Sequence, residues 1–222
     1  MEISPDHIIY FSSGFIMLNA TILFTWAVML LLVMFSWLVT RRVTSASIVP
    51  DSQNILEVLV GGLLSQIRDA TNQRPEKFLP LLGTLFIFIL LSNLLSAIPG
   101  FQPPTGSLST TTAFSLIVFF SVPYYGIKEN GLRNYLKGYI RPSPFMLPFN
   151  IIGEISRTFA LAVRLFGNIL SGTMMGAILL VIMPLFVPVI MQLLGLLIGV
   201  VQAYIFTVLA AVFIAAGLEV HS

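Results

Sequence analysis

The fold is decided by residues 165–218, LFGNILSGTMMGAILLVIMPLFVPVIMQLLGLLIGVVQAYIFTVLAAVFIAAGL, a run of 54 residues without a charge. As one helix this run would be about 80 Å long, whereas the hydrocarbon core of a bilayer is about 30 Å thick. The chain must therefore fold back. Pro184 and Pro188 mark the expected break, because proline lacks the N–H donor and clashes with the preceding turn. Together with the residues before it, the run predicts two long membrane helices, at 146–183 and 189–217.

Two further runs lack charges, residues 8–40 and 78–127. The first is long enough for one span, at 14–40. The second is long enough for two, at 79–97 and 110–127, because the proline- and glycine-rich residues between them are typical of a turn. The sequence therefore predicts an all-α membrane protein with five long transmembrane helices, in a single integral membrane domain covering residues 1–222.

The composition excludes most other classes of protein. Hydrophobic residues make up 57% of the chain and charged residues 9%, against roughly a quarter charged in soluble proteins. With no cysteine and with His7 and His221 near the two ends, neither a disulfide framework nor a histidine-built metal site in the middle is expected. The sequence has no glycine-rich phosphate loop. We therefore expect no cofactor, no nucleic-acid partner and no nucleotide chemistry in this chain, which is not expected to be an enzyme by itself.

The basic residues predict the orientation. Nine of the eleven lie in two alternate loops: Arg41, Arg42, Arg68, Arg74 and Lys77 between spans one and two, and Lys128, Arg133, Lys137 and Arg141 between spans three and four. Lys and Arg concentrate on the cytoplasmic side of membrane proteins. The N-terminus is therefore predicted to lie outside and the C-terminus in the cytoplasm.

Residues 51–74 do not read as a span, since apolar residues recur at helical spacing but Glu57, Arg68 and Asp69 interrupt them. This pattern favours an amphipathic helix at the inner membrane surface. The alternative is an ordinary inside loop that packs on the helix bundle.

The remaining two basic residues, Arg157 and Arg164, lie within the fourth span. A charge at the bilayer centre costs about 2.5–3.5 kcal/mol on insertion scales, so such residues are expected to face protein or water. They belong to a series at alternating four- and three-residue spacing, which predicts one helix face: Asn150, Glu154, Arg157, Leu161, Arg164 and Asn168. Glu154 is placed to pair with Arg157. No acidic residue lies three, four or seven positions from Arg164.

The fourth span also carries small residues, Gly167, Gly172 and Gly176 among them, which allow a second helix to approach closely. That second helix belongs either to this chain or to a partner. In the last span Gln202 is the only strongly polar residue between Gln192 and Glu219. We expect it near Arg164 across a hairpin of two over-long and steeply tilted helices.

These residues carry a resemblance to a known family. Arg164-Leu165-Phe166-Gly167-Asn168, followed 34 residues later by Gln202-Ala203-Tyr204-Ile205-Phe206, resembles subunit a of the F-type rotary ATP synthase. The inside loop sequence Tyr139-Ile140-Arg141-Pro142 fits as well. The resemblance extends over roughly residues 14–218 and includes the order of spans and loops.

The resemblance implies a membrane stator with two offset half-channels, against which a ring of c subunits turns. Arg164 matches the essential arginine of the family, which attracts the deprotonated carboxylate of each passing c subunit. Because a guanidinium cannot deprotonate, it favours the charged form of a neighbouring carboxylate. Asn168, Gln202 and Glu154 match polar positions of the ion path. Secondary candidates for lining the half-channels are Asn150, Arg157, Thr173, Ser107 and Glu219.

The sequence departs from many members of the family at carboxylate positions. Thr173 stands nine residues after the arginine where many have glutamate, and Asn150 stands where some have glutamate. The start of the third span, around Ser107, offers hydroxyl groups only. Either water and neutral polar groups carry H⁺, which is the commoner coupling ion of the family, or the ion is Na⁺.

The implied partners are the c-subunit ring, the b subunits of the peripheral stalk, the other ATP synthase subunits and the lipid bilayer. The implied location is an energy-coupling membrane, foremost the bacterial inner membrane. An alternative is a stand-alone secondary transporter with a site at Glu154, Arg157 and Arg164, which would predict internal repeats that the sequence does not show. A non-transporting assembly protein would leave the cost of Arg164 unexplained.

Overall fold

The structure is a computed structural model, which describes residues 9–13, 16–41, 61–62, 64–68, 77–98, 100–135, 145–182 and 187–219. Two short strands, β1 (Ile9–Ser13) and β2 (Ile16–Asn19), form an antiparallel hairpin. Five helices of 17 residues or more follow in the described ranges: α1 (Ala20–Thr40), α2 (Leu79–Leu95), α3 (Leu108–Asn130), α4 (Met146–Ile182) and α5 (Val187–Glu219). A 3₁₀ turn, Pro104–Gly106, lies between α2 and α3.

The helical membrane class is confirmed. Four of the helices, α1, α3, α4 and α5, are long and apolar enough to cross a membrane, whereas α2 is apolar but has 17 residues. The two longest were predicted to within two residues at each end, and α5 begins at Val187 with Pro188 in its first turn. Proline is tolerated there because the first N–H groups of a helix have no partner within it. Pro184 lies outside the described residues.

The predicted start of the first span at residue 14 is wrong. Helix α1 begins at Ala20, and Ile16–Asn19 instead pairs with the strand before it. Both runs are apolar, so hydropathy alone does not separate them. The two-stranded ladder satisfies the backbone of Ile16–Asn19 as a helix would, which is why an apolar run of this length is ambiguous.

The core forms where α2, α3, α4 and α5 meet. Its members include Phe78, which precedes α2, and Leu82 in the first turn of α2. Leu161 and Leu165 of α4 and Phe206 of α5 also belong to it. Helices α3 and α5 approach each other closely at Gly217 of α5, where an added Cβ would lie 2.5 Å from Cγ1 of Val122 in α3. At one end of α2 and α3, Lys77 donates a hydrogen bond to Glu129 in an ion pair.

The outer surface of the helices is apolar. On α1 the exposed side chains include Trp26, Leu30, Val33 and Trp37, and α4 and α5 each carry ten or so comparable residues, from Phe149 to Val212. Apolar side chains exposed on every long helix are incompatible with water on all sides. The chain is therefore a multi-pass membrane protein.

Most of the predicted surface helix at 51–74 lies outside the described residues. The described part, residues 61–62 and 64–68, is helical. Ile67 is buried in the main core, and Gln66 Oε1 accepts a 2.7 Å hydrogen bond from the Tyr204 hydroxyl of α5. This stretch is therefore helical and packs on the bundle, and its place at the inner membrane surface stays a prediction.

Candidate functional site

The polar series on α4 does not form one uniform face. Leu161 is buried in the core, whereas Arg157 and Arg164, on either side of it along the helix, are both exposed. Long arginine side chains on the flank of a helix can extend outward while the apolar residue between them faces inward. Spacing alone therefore did not predict how these positions divide between core and surface.

Arg164 stands on an apolar outer surface. The neighbouring Val163 is exposed, and Leu165 on the other side is fully buried. Within the described ranges, no ion pair or hydrogen bond involves Arg164. An unpaired guanidinium in an apolar membrane surface is costly, so its charge requires water or a group from another molecule.

Arg157 has a different environment. Its guanidinium carbon lies 5.7 Å from the centre of the Phe213 ring of α5, which is within the range of a cation–π contact. The predicted pair between Arg157 and Glu154 stays a prediction. Glu154 is half-buried and holds a contact of its own, and its backbone carbonyl accepts a 2.9 Å hydrogen bond from the Thr158 hydroxyl.

Gln202 lies inside the bundle rather than on its surface. It is 6% exposed, and its Nε2 has no hydrogen-bond partner in the described part of the chain. No hydrogen bond joins it to Arg164 among those residues. A buried amide normally has partners, so the free donor indicates a site for water or for another polar group. Gln202 is therefore buried on the interior side of α5, and Arg164 is exposed on α4.

The other predicted site residues are spread along the helices. Asn168 and Asn150 are half-buried, and Asn150 has a contact. Thr173 is exposed, and its hydroxyl donates a 2.9 Å hydrogen bond to the Leu170 carbonyl. Glu219 is the last residue of α5.

Ser107, one of the predicted half-channel candidates, is fully buried, and it begins a line of buried hydroxyl residues whose later members sequence reasoning did not single out. Its hydroxyl lies 2.6 Å from that of Ser109. Thr111 and Ser115 follow at four-residue intervals on α3 and are buried as well. Their side chains also bond carbonyls of their own helix, Leu108 and Thr112 respectively. The four-residue spacing was a usable signal, but hydroxyl residues with such local bonds are common in membrane helices.

Asn93 is a second buried polar residue that sequence reasoning missed. Its Nδ2 donates a 2.9 Å hydrogen bond to the Gly199 carbonyl of α5, and its Oδ1 accepts a 2.8 Å bond from the Thr105 hydroxyl. The neighbouring Ser92 is fully buried with no partner for its Oγ among the described residues. An amide in an otherwise apolar span was the available signal, because it is rarely placed there without a partner.

In the described ranges, no group of three His, Cys, Asp or Glu residues lies close enough to hold a metal ion. The buried polar groups around α2, α3 and α5 are hydroxyls and amides. They can solvate an ion or water, but they do not titrate in the physiological range.

The sequence pattern of a family described as ATP synthase A chain matches residues 22–215. The chain belongs to this family. A protein named "ATP synthase subunit a 2" from Acaryochloris marina is 58% identical, over 99% of this chain and 94% of its own length. "ATP synthase subunit a 1" of Chlorobaculum parvum is 56% identical over 98% and 96%, and "ATP synthase subunit a" of Nitrosospira multiformis is 53% identical over 98% and 86%.

Membership in the subunit a family confirms the resemblance carried by residues 164–168 and 202–206. It assigns the chain to the ion-transporting Fo sector of the F-type ATP synthase, where it works with the other subunits of that complex. Subunit a is the membrane component and not the site of ATP chemistry. The stand-alone transporter therefore loses its support.

Proposed function

We propose that this chain is the ion-translocating stator of a rotary ATP synthase, in which Arg164 faces the carboxylates of a c-subunit ring. The observation that carries the proposal is the exposure of Arg164 on an apolar surface without a partner in the described chain. A ring carboxylate passing this surface would supply the missing negative charge. The guanidinium would favour the ionised form of that carboxylate and so release its ion.

The glycines of α4 support an intermolecular role for this surface. An added Cβ at Gly167, Gly172 or Gly176 would meet nothing within 4 Å, so no described part of the chain uses these positions for close packing. Small residues in membrane helices allow close approach of another helix. On α4 they lie along the same helix as Arg164, which suits a moving ring of helices.

Two offset half-channels would bring the ion to and from this surface. Gln202 and Asn168 would stand nearest the arginine, and Glu154 would belong to the half-channel that opens inside. The buried hydroxyls Ser107 and Thr111 would belong to the half-channel that opens outside, since they lie at the end of α3 beside the 3₁₀ turn. Asn150, Arg157, Thr173 and Glu219 remain secondary lining candidates.

The proposed topology has five spans. Helix α2, with 17 residues, would be about 26 Å long, which is slightly less than the thickness of the hydrocarbon core. Local thinning of the bilayer, or the residues that flank the helix, would make up the difference. The N-terminus would then lie outside and the C-terminus in the cytoplasm of a bacterial inner membrane. Helices α4 and α5, of 37 and 33 residues, would tilt steeply to remain within the membrane. The b subunits of the peripheral stalk would hold the chain against rotation.

The central experiment replaces Arg164. We expect Arg164→Ala to abolish ion-coupled ATP synthesis in membrane vesicles while the complex still assembles. Arg164→Lys is expected to fail as well, since an ammonium lacks the planar fork of donors that meets a carboxylate. Phe159→Ala is the comparison, because it removes a large side chain that is exposed on the same helix and carries no charge. It should retain most of the coupling, and coupled synthesis in Arg164→Ala would contradict the proposal.

The coupling ion is proposed to be H⁺, and the neutral polar groups make Na⁺ a second candidate. The buried groups Ser107, Thr111, Asn93 and Gln202 offer oxygens and amides without a carboxylate. Such groups solvate Na⁺ as well as they hold a chain of waters. ATP hydrolysis by the assembled complex at neutral pH, measured with and without Na⁺, separates the two. If H⁺ is the coupling ion, the rate of ATP hydrolysis should not depend on Na⁺. Stimulation of hydrolysis by Na⁺ would instead identify Na⁺ as the coupling ion.

A further inference from the structure

One small cluster of contacts joins α2 to both helices that carry the proposed site. It consists of Asn93 on α2, Thr105 and Gly106 in the 3₁₀ turn, Ile169 on α4 and Gly199 on α5, and we refer to it as the Asn93 cluster. Asn93 is 1% exposed and uses both ends of its amide, toward Gly199 and toward Thr105. Gly106 lies against α4, where an added Cβ would be 3.0 Å from Ile169 Cγ2.

The contact between α2 and α5 is specific in both rotation and depth. The acceptor of the Asn93 amide is the backbone carbonyl of Gly199, a residue in the middle of α5. An added Cβ on Gly199 would lie 2.9 Å from Asn93 Cβ, so only glycine allows this approach. A side chain that bonds one carbonyl at such close range fixes which turn of α5 stands beside α2.

The cluster also bears on the relative position of α4 and α5, the two helices that carry the proposed site. Residues 183–186 are too few to return the chain along the length of α4, so α4 and α5, which pack together, must run in opposite directions. Arg164 precedes Ile169 by five residues, about 7.5 Å along the helix, and Gln202 follows Gly199 by three residues, about 4.5 Å. Both site residues therefore lie on the same side of the cluster, each within two turns of it along its helix.

We propose that Asn93 is a positioning residue of the ion path: through Gly199 on one side and Thr105–Gly106 on the other, it fixes the depth and rotation of Gln202 relative to Arg164. The inference rests on the proposed function, since it assigns Asn93 a role in the same site. Asn93 itself need not touch the ion. Its removal would let α5 slide or turn, and displacements of about 1 Å in such sites can cost about a hundredfold in rate.

The test compares three variants in the assembled complex. Asn93→Leu keeps a similar volume but removes both hydrogen bonds, and Gly199→Ala places a methyl group against Asn93. Gly195→Ala is the matched control, because it removes a glycine from the same helix one turn earlier, where an added Cβ meets nothing within 4 Å. ATP-driven ion transport into vesicles is measured for each and divided by the amount of this subunit in the purified complex.

A distance measurement shows whether the cause is positional. The chain contains no cysteine, so Phe159→Cys on α4 and Val212→Cys on α5, both exposed, accept spin labels in a cysteine-free complex. We expect Asn93→Leu and Gly199→Ala to lower ion transport per complex about tenfold or more and to shift or broaden the distance between the labels. Gly195→Ala should match the parent in both measurements.

Three results would overturn the proposal. Parent-like transport in Asn93→Leu would show that the residue is dispensable. Lower transport with an unchanged distance would mean that Asn93 acts on the ion directly. Loss of the subunit from the complex in every Asn93 and Gly199 variant would mean a role in assembly alone. Arg164→Ala, measured in parallel, tests the proposed function separately, because retained transport there would contradict the stator site while leaving the distances informative about the cluster.

Discussion

A buried amide nitrogen without a partner is costly, and Gln202 holds one in the interior of the bundle. Leaving such a group unsatisfied costs about 1–3 kcal/mol. Glutamine also loses considerable side-chain entropy when it is buried. A residue that carries such a cost is expected to serve function rather than stability, so a mutation can separate its effect on function from its effect on stability.

We predict that Gln202→Leu keeps or raises stability while it lowers ion transport. Leucine removes the unsatisfied donor, so the free energy of unfolding should stay level or rise by up to about 1–3 kcal/mol, as measured by thermal unfolding of the purified subunit in detergent. Ion transport per complex should fall at least tenfold. Gln192→Leu is the control. Its Nε2 donates to the Ala97 carbonyl, so that change should cost about 0.5–1.5 kcal/mol with transport intact. Parent-like transport in Gln202→Leu would contradict the assignment.

Sequence reasoning reached Arg164 and Gln202 because each is conspicuous against an apolar run. It did not reach Asn93, whose partner Gly199 is 106 residues away. The meaning of an amide in a span depends on what stands opposite, and a single sequence does not give the register between distant helices. Hydroxyl residues such as Thr111 and Ser115 are harder still, since their bonds to their own helix look the same whether they are buried or exposed.

At the scale of the helices, the glycines divide into two kinds. Gly172 and Gly176 of α4 have open space around them, whereas Gly199 and Gly217 of α5 would each place a Cβ under 3.0 Å from a neighbour. Helix α5 therefore packs closely against its neighbours at these two positions, whereas Gly172 and Gly176 of α4 have no close neighbour in the described chain. The same residue type serves intrachain packing in one helix and an outward surface in the next.

We predict that Gly217→Ala destabilises the subunit. Its Cβ would lie 2.5 Å from Val122 Cγ1, and Val122 is buried and restricted to few rotamers in a helix. Overpacking of this kind costs about 1–3 kcal/mol, which exceeds the roughly 1 kcal/mol that alanine gains over glycine in a helix. Thermal unfolding in detergent measures the change. Gly153→Ala of α4, where nothing lies within 4 Å, should be neutral or stabilising. An unchanged midpoint in Gly217→Ala would show that α3 yields easily.

Helix boundaries were predictable where the sequence changes chemistry. Helices α4 and α5 begin and end within two residues of the predicted bounds, since Pro184, Pro188 and the flanking charges mark their ends. The start of α1 was not predictable, because the strand Ile16–Asn19 is largely apolar, like the helix that follows it. Apolarity indicates that a segment leaves water, while the choice between helix and hairpin depends on a pairing partner that hydropathy does not reveal.

At the scale of the whole molecule, the apolar surface and the positions of the charges define how the chain sits in a bilayer. Helix α3, with 23 residues, is about 34 Å long, enough to cross the hydrocarbon core. Lys128 lies in its last turn, and Lys77 pairs with Glu129 there. The other end of α3, at Leu108, is preceded by the 3₁₀ turn, which carries no charge. The two ends of α3 therefore differ in positive charge, which is the property that the positive-inside rule relates to orientation.

We predict that Ile98 is reached from outside the cell and Leu132 from the cytoplasm. Ile98 lies before the 3₁₀ turn that precedes α3, and Leu132 lies just after the last residue of α3. Their side chains are 54% and 58% exposed, respectively. Because the chain has no cysteine, Ile98→Cys and Leu132→Cys each create a single thiol, and the parent chain is the unlabelled control. A membrane-impermeant maleimide should label Ile98→Cys in intact cells, and Leu132→Cys only after the membrane is opened. The reverse pattern would invert the topology and place the half-channel at Ser107 on the cytoplasmic side. Arg133 lies beside Leu132, so labelling of Leu132→Cys also tests whether this basic loop faces the cytoplasm, as the positive-inside rule predicts.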